Sequence, residues 1–114
     1  NLLANTVLWP IYGHRDDRRW TYFKIFDIPE NAEVGGVASH TENYYSMDYS
    51  NIHFVMLDSQ ASDRSVEGKM LNWLKRDLAA NKKPWLIAAF HHPAYSKGHF
   101  DTDDDNHADG RSKD

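Results

Sequence analysis

Cysteine is absent from this chain of 114 residues. That excludes disulfides, thiolate zinc sites and cysteine nucleophiles. Any metal must then be held by His, Asp, Asn or Glu, a donor set suited to zinc, iron or manganese. No apolar run is long enough to span a membrane, and no signal peptide is visible. The chain starts at Asn1 rather than Met, which fits a processed or excised amino end. A basic excess is missing too. Residues 1–100 hold eleven acids and eleven bases, and residues 101–114 hold six acids against two bases, so the tail carries the whole net charge of −4. A neutral body with an acidic tail has no nucleic-acid footprint, which would need a basic patch.

What is present is a core. Hydrophobic residues make up 40% of the chain, and four Trp, six Tyr and five Phe supply either a well-packed interior or an aromatic-lined cleft. The length fits one domain at most.

Val7 to Tyr12 is apolar but interrupted by Pro10, and reads as an edge strand or an extended segment entering a loop. Arg18 to Ile28 is roughly amphipathic and stops at Pro29, so a short helix is expected there. Asn31 to Asn43 contains Gly35-Gly36 and reads as a loop. Tyr44 to Tyr49 and Ile52 to Asp58 look like two strands joined by Ser50-Asn51, a gap that suits a tight hairpin. Val66 to Ala80 is the clearest helix, with Met70, Leu71, Trp73, Leu74 and Leu78 at helical spacing. Asn81, two lysines and Pro84 then end it.

Trp85 to Tyr95 is the most informative stretch. Trp85 to Phe90 has no charged side chain and predicts a central strand buried on both faces. Pro93 ends it, which leaves His91 and His92 at its carboxyl end. In α/β sheets that edge is where ligands bind, and imidazole is the commonest protein metal ligand. The plainer reading is one hydrogen-bonded histidine closing a strand and one facing solvent. Hairpin, helix and strand together form a strand–helix–strand unit over residues 52–90, predicted as a right-handed parallel crossover. The fold class is therefore α/β with at least three strands. Residues 96–114 hold only Phe100 and Ala108 as apolar residues, and read as an active-site loop, as a chain stopping before its next element, or as both.

Four stretches carry a resemblance to a known family. They are Pro10-Ile-Tyr-Gly-His-Arg-Asp16, the segment Glu42 to Ser59, the helix Gly68 to Leu78 with Trp73-Leu74 and Asp77-Leu78, and Trp85 to Ser96 with its Pro93-x-Tyr95. Together they resemble the calcineurin-like metallophosphoesterases, in particular their purple-acid-phosphatase-like branch. The resemblance implies a two-sheet sandwich flanked by helices, hydrolysis of a small phosphate ester, and two divalent or trivalent metal ions (Fe, Zn or Mn). It also implies a secreted or periplasmic location, while the charge pattern and the lack of a long apolar run leave nucleic acid and membrane out as expected partners. The family's upstream aspartate motifs and its downstream Gly-His-x-His have no counterpart here. Residues 1–114 are therefore expected to be a central fragment of one such domain, unable to complete a dinuclear site alone.

The same resemblance implies roles for single residues. His91 matches the strand-end metal ligand. His92 stands at a variable position beside it, where a structural role or a place on the substrate side are the options. The family's Gly-Asn-His motif is altered to Gly13-His14-Arg15. Aligned directly, His14 replaces the ligating asparagine and Arg15 the histidine that handles the phosphate. A slip of one residue would make His14 the catalytic histidine instead. Arg15 cannot be a general acid at neutral pH, but its fork can clamp a phosphate. His99 would contact the phosphate or protonate the leaving oxygen. His40 is a cleft candidate, while His53 reads as structural and His107 as solvated. The acidic run Asp101 to Asp109 has EF-hand-like aspartate spacing, but Asn106 and Ser112 replace the required Gly and Glu, so that reading fails. Altered chemistry, a degenerate non-catalytic relative serving as a binding module, and a sequence error all remain open. No His-Glu-x-x-His helix supports a peptidase of another fold.

Overall fold

The computed structural model describes residues 2–14, 16 and 19–95. After a 3₁₀ turn at Leu2–Asn5 come helix α1 (Arg19–Ile25), strands β1 (Tyr45–Tyr49) and β2 (Ile52–Leu57), helix α2 (Lys69–Ala80) and strand β3 (Trp85–Phe90). They form a mixed α/β unit with one sheet of order β1-β2-β3. β1 and β2 are antiparallel with Tyr49 opposite Ile52, so Ser50-Asn51 is the two-residue turn that the gap suggested. β2 and β3 are parallel, from Ile52 opposite Trp85 to Leu57 opposite Phe90, with α2 as the connection between them.

Period-two alternation sorts the hairpin between two cores. Tyr45, Met47 and Met56 point to one face, where they pack with Tyr12, Tyr22 and Ile28. Tyr44 and Val55 point to the other, against Met70 and Trp73 of α2. Residues 7–12 form no strand but lie extended along the first face, where the Tyr45 hydroxyl donates to the Pro10 carbonyl at 2.9 Å. α1 is shorter than expected, ending at Ile25 rather than Ile28, and α2 starts at Lys69 rather than Val66.

The loop 31–43 is pinned at close approaches. Gly36 has φ of 80°, and a Cβ there would strike Ser46 Oγ and Asp77 Oδ1. The Trp73 indole donates to the Val37 carbonyl at 2.7 Å, and the Val37 amide donates to Asp77 Oδ1 at 2.8 Å. The loop thus closes one side of the α2 core.

One expectation is corrected. β3 is not buried on both faces. It is an edge strand of the described sheet, and Trp85, Leu86, Ile87 and Phe90 are all exposed. Apolar composition shows that a strand can be covered on two faces, but covering it takes packed layers, and among the described residues none lies over β3. No helix among the described residues is long and apolar enough to cross a membrane.

Candidate metal and phosphate site

Because β2 and β3 run parallel and finish together at Leu57 and Phe90, the residues that follow them emerge side by side. Asp58 and Ser59 leave β2, and His91 and His92 leave β3. Side-chain bonds prolong the sheet where the ladder ends. The His92 amide donates to Ser59 Oγ at 3.0 Å, and His92 Nδ1 lies 2.9 Å from the Ser59 carbonyl and 3.0 Å from its hydroxyl. A carbonyl only accepts, so Nδ1 carries a proton. Asp58, almost fully buried, accepts from the amides of Gln60 and Ala61 at 2.9 Å each and from the Ser62 hydroxyl at 2.8 Å. That tight turn is what presents Ser59 to His92.

His92 is half-buried and fixed in this way, while His91 is exposed. This is the division between the two histidines that the plainer reading anticipated, with one addition. His14, 77 positions earlier in the chain, places Nδ1 2.6 Å from His91 Nε2. The His14 and His91 ring centroids are 4.9 Å apart, and the His91 and His92 rings meet edge-on at 4.8 Å. His14 sits on a turn in which the Asp16 amide donates to the Gly13 carbonyl at 2.9 Å and the Gly13 amide donates to Asp16 Oδ2 at 3.0 Å. Gly13 is needed for contact rather than for backbone freedom. A Cβ there would lie 2.9 Å from His91 Nδ1.

The Tyr22 phenol belongs to the same neighbourhood. Burial pushes its pKa up, and the charges of Asp16, Asp58 and Glu42 push it further, so it keeps its proton. Two exposed imidazoles facing each other can share one proton or give two lone pairs to a cation. They suit a zinc, iron or manganese ion as part of a ligand set, since a closed site takes four donors. Among the described residues no group of three or more His, Asp or Glu could hold a metal.

Among the residues singled out from the sequence, His14, His91 and His92 come together. Arg15, His99, His107 and the acidic run from Asp101 lie outside the described residues. His40 is exposed in the glycine loop with φ of 56°, and its amide donates to the Glu30 carbonyl at 2.8 Å. His53 is buried as a structural residue, but with two carboxylate partners, Asp48 and Asp77, that sequence reasoning missed. The available signal was Asp77 itself. It falls on the Met70–Trp73 stripe of α2, where an acid needs a partner. Ser59 was missed as well, because a serine beside a strand end carries no distinguishing pattern.

No family model matches the chain. Several plant proteins are similar to it. Purple acid phosphatase 15 of Arabidopsis thaliana is 47% identical over 79 residues, covering 66% of this chain and 14% of that protein. Purple acid phosphatase 23 of the same plant is 37% identical over 79 residues, covering 67% and 16%. Purple acid phosphatase 21 is 39% identical over 67 residues, covering 54% and 15%. The matched stretch spans about a seventh of each relative's length.

Proposed function

We propose that this chain, purple-acid-phosphatase-like over about two thirds of its length, is the central part of a metal-dependent phosphoesterase acting on small phosphate esters. The observation that carries the reading is the meeting of His14 and His91 at 2.6 Å across 77 residues of sequence. A strand end and a separate turn bring these two solvent-facing imidazoles together.

In this reading His91 and His14 are metal ligands. As neutral imidazoles each would present one ring lone pair and keep one N–H, so the hydrogen lying between them would pass to the far nitrogen of its own ring. Gly13 leaves room for the His91 ring, and Asp16 holds the turn that carries His14. Fe, Zn or Mn ions, when bound, supply Lewis acidity toward the phosphate and acidify water. Arg15 would clamp the phosphate oxygens bidentately, and His99 would give a proton to the leaving oxygen. His92, set by Ser59, would line the substrate side. Among the described residues no further ligand joins them, and in this reading the rest of the set would come from elsewhere in the protein. The three-stranded sheet would then be one part of a two-sheet sandwich flanked by helices, in a secreted or periplasmic protein.

Gly13-His14-Arg15-Asp16 favours a second reading. The histidine expected after the ligand position is an arginine that cannot trade a proton, and a relative that has lost catalysis and keeps the fold as a binding module would tolerate it. Aryl-phosphate hydrolysis by the intact protein decides between them. The assay is run before chelation, after it, and after zinc, iron or manganese is restored. Activity lost and regained, and absent in His91→Ala, is the expected result. No turnover with any metal would leave the binding module.

A further inference from the structure

We propose that Asp48, His53 and Asp77 form a proton-holding latch, in which His53 is an imidazolium clamped between two carboxylates and ties the hairpin to α2. The cluster lies at the amino ends of β2 and β3, roughly 15–20 Å of strand away from His91. It is separate from the phosphate chemistry.

The geometry counts protons. His53 Nδ1 is 2.7 Å from Asp48 Oδ1, and His53 Nε2 is 2.7 Å from Asp77 Oδ2. An ionised carboxylate only accepts, and a neutral imidazole has one N–H. Two contacts to two ionised carboxylates therefore need both ring nitrogens protonated. The other oxygen of Asp77 accepts from the Ser46 hydroxyl at 2.7 Å and the Val37 amide at 2.8 Å, so the carboxylate is fixed in place against the ring. His53 and Asp77 are both 1% exposed, so neither can turn to water for a replacement bond.

The charged groups around the ring are few. β1 contributes Asp48, and α2 contributes Asp77. The connection from α2 to β3 contributes Lys83, whose Nζ is 3.9 Å from Asp48 Oδ2, and Lys82 at the rim of the same cleft. Burial works against charge on the ring, but the hydrogen bonds to Asp48 and Asp77 and their charges outweigh it and hold the His53 pKa above its ordinary value. When the proton leaves, one of the two bonds has no hydrogen. Asp77 and Asp48 then face each other across a neutral ring at the seam between α2 and the hairpin, and the seam loosens. The loop 34–37 rests on Asp77 and loosens with it.

Nitrogen-resolved NMR of the histidine rings in the intact protein tests this. At about pH 8, where an ordinary histidine has lost a proton, both His53 nitrogens should still carry hydrogen. Asp48→Asn keeps the shape and an accepting oxygen but removes one charge. It should lower the His53 titration midpoint by about one pH unit. Thermal unfolding should follow, with the wild-type midpoint falling more steeply than that of Asp48→Asn as pH rises. A singly protonated His53 in the wild type at about pH 8, or a titration unmoved by Asp48→Asn, overturns the proposal. Should the variant fail to fold, the wild-type spectrum decides alone.

Discussion

Gly13 shows how one missing methyl group shapes a site. The His91 ring occupies the space where a side chain at Gly13 would begin, with 2.9 Å to Nδ1. Gly13→Ala should swing the exposed His91 ring away from His14 and leave the fold intact. Under the ligand role proposed for His91, metal affinity of the intact protein should drop about 10- to 100-fold, the usual cost of disturbing a ligand's support, as read by calorimetric titration with zinc. Ser50 offers the opposite case. It opens the hairpin turn with φ of 55°, a conformation that suits glycine. Ser50→Gly should stabilise the hairpin by about 0.5–1 kcal/mol, the left-handed strain relieved less the added chain entropy. Urea unfolding with an unchanged slope would measure it.

At the scale of elements, α2 is fastened by polar contacts as much as by its apolar stripe. Asp77 gathers the Val37 amide, the Ser46 hydroxyl and the His53 ring, and Trp73 adds its indole bond to Val37. Asp77→Ala strands all three donors and leaves a buried cation facing a cavity. It should cost about 3–5 kcal/mol, read by urea unfolding followed through tryptophan fluorescence. The pH dependence has a definite sign. The folded pKa of His53 lies above its unfolded value. Its contribution is therefore whole below about pH 6.5 and is lost as pH climbs through the raised folded value. Stability rising with pH through that window would contradict the sign.

At the scale of the whole molecule, β3 is the exposed element. Its outer edge is unpaired within the described sheet, and Trp85, Leu86, Ile87 and Phe90 face solvent. An apolar edge strand without charge or proline is a template for pairing with another chain. The 114-residue chain by itself should self-associate in a concentration-dependent way, seen by light scattering. Ile87→Lys, which puts a charge on that strand, should suppress the association without disturbing β1 and β2. A monodisperse wild-type chain at high concentration would show that β3 is covered.

Most elements were legible along the chain because their periods are local. The helical spacing of Met70, Trp73 and Leu74, the alternation through Tyr45 and Met47, and the two-residue gap at Ser50-Asn51 need only near neighbours to act. The same holds for two histidines halted at a strand end by Pro93. Tertiary structure alone decided the rest. That His14 meets His91, that Asp77 reaches back to His53, and that Ser59 braces His92 depend on which segments pack together, and a residue's own pattern names no distant partner. The exposure of β3 belongs there too. Hydrophobicity sets how much a strand gains by being covered, and only the packing of other layers determines whether anything covers it.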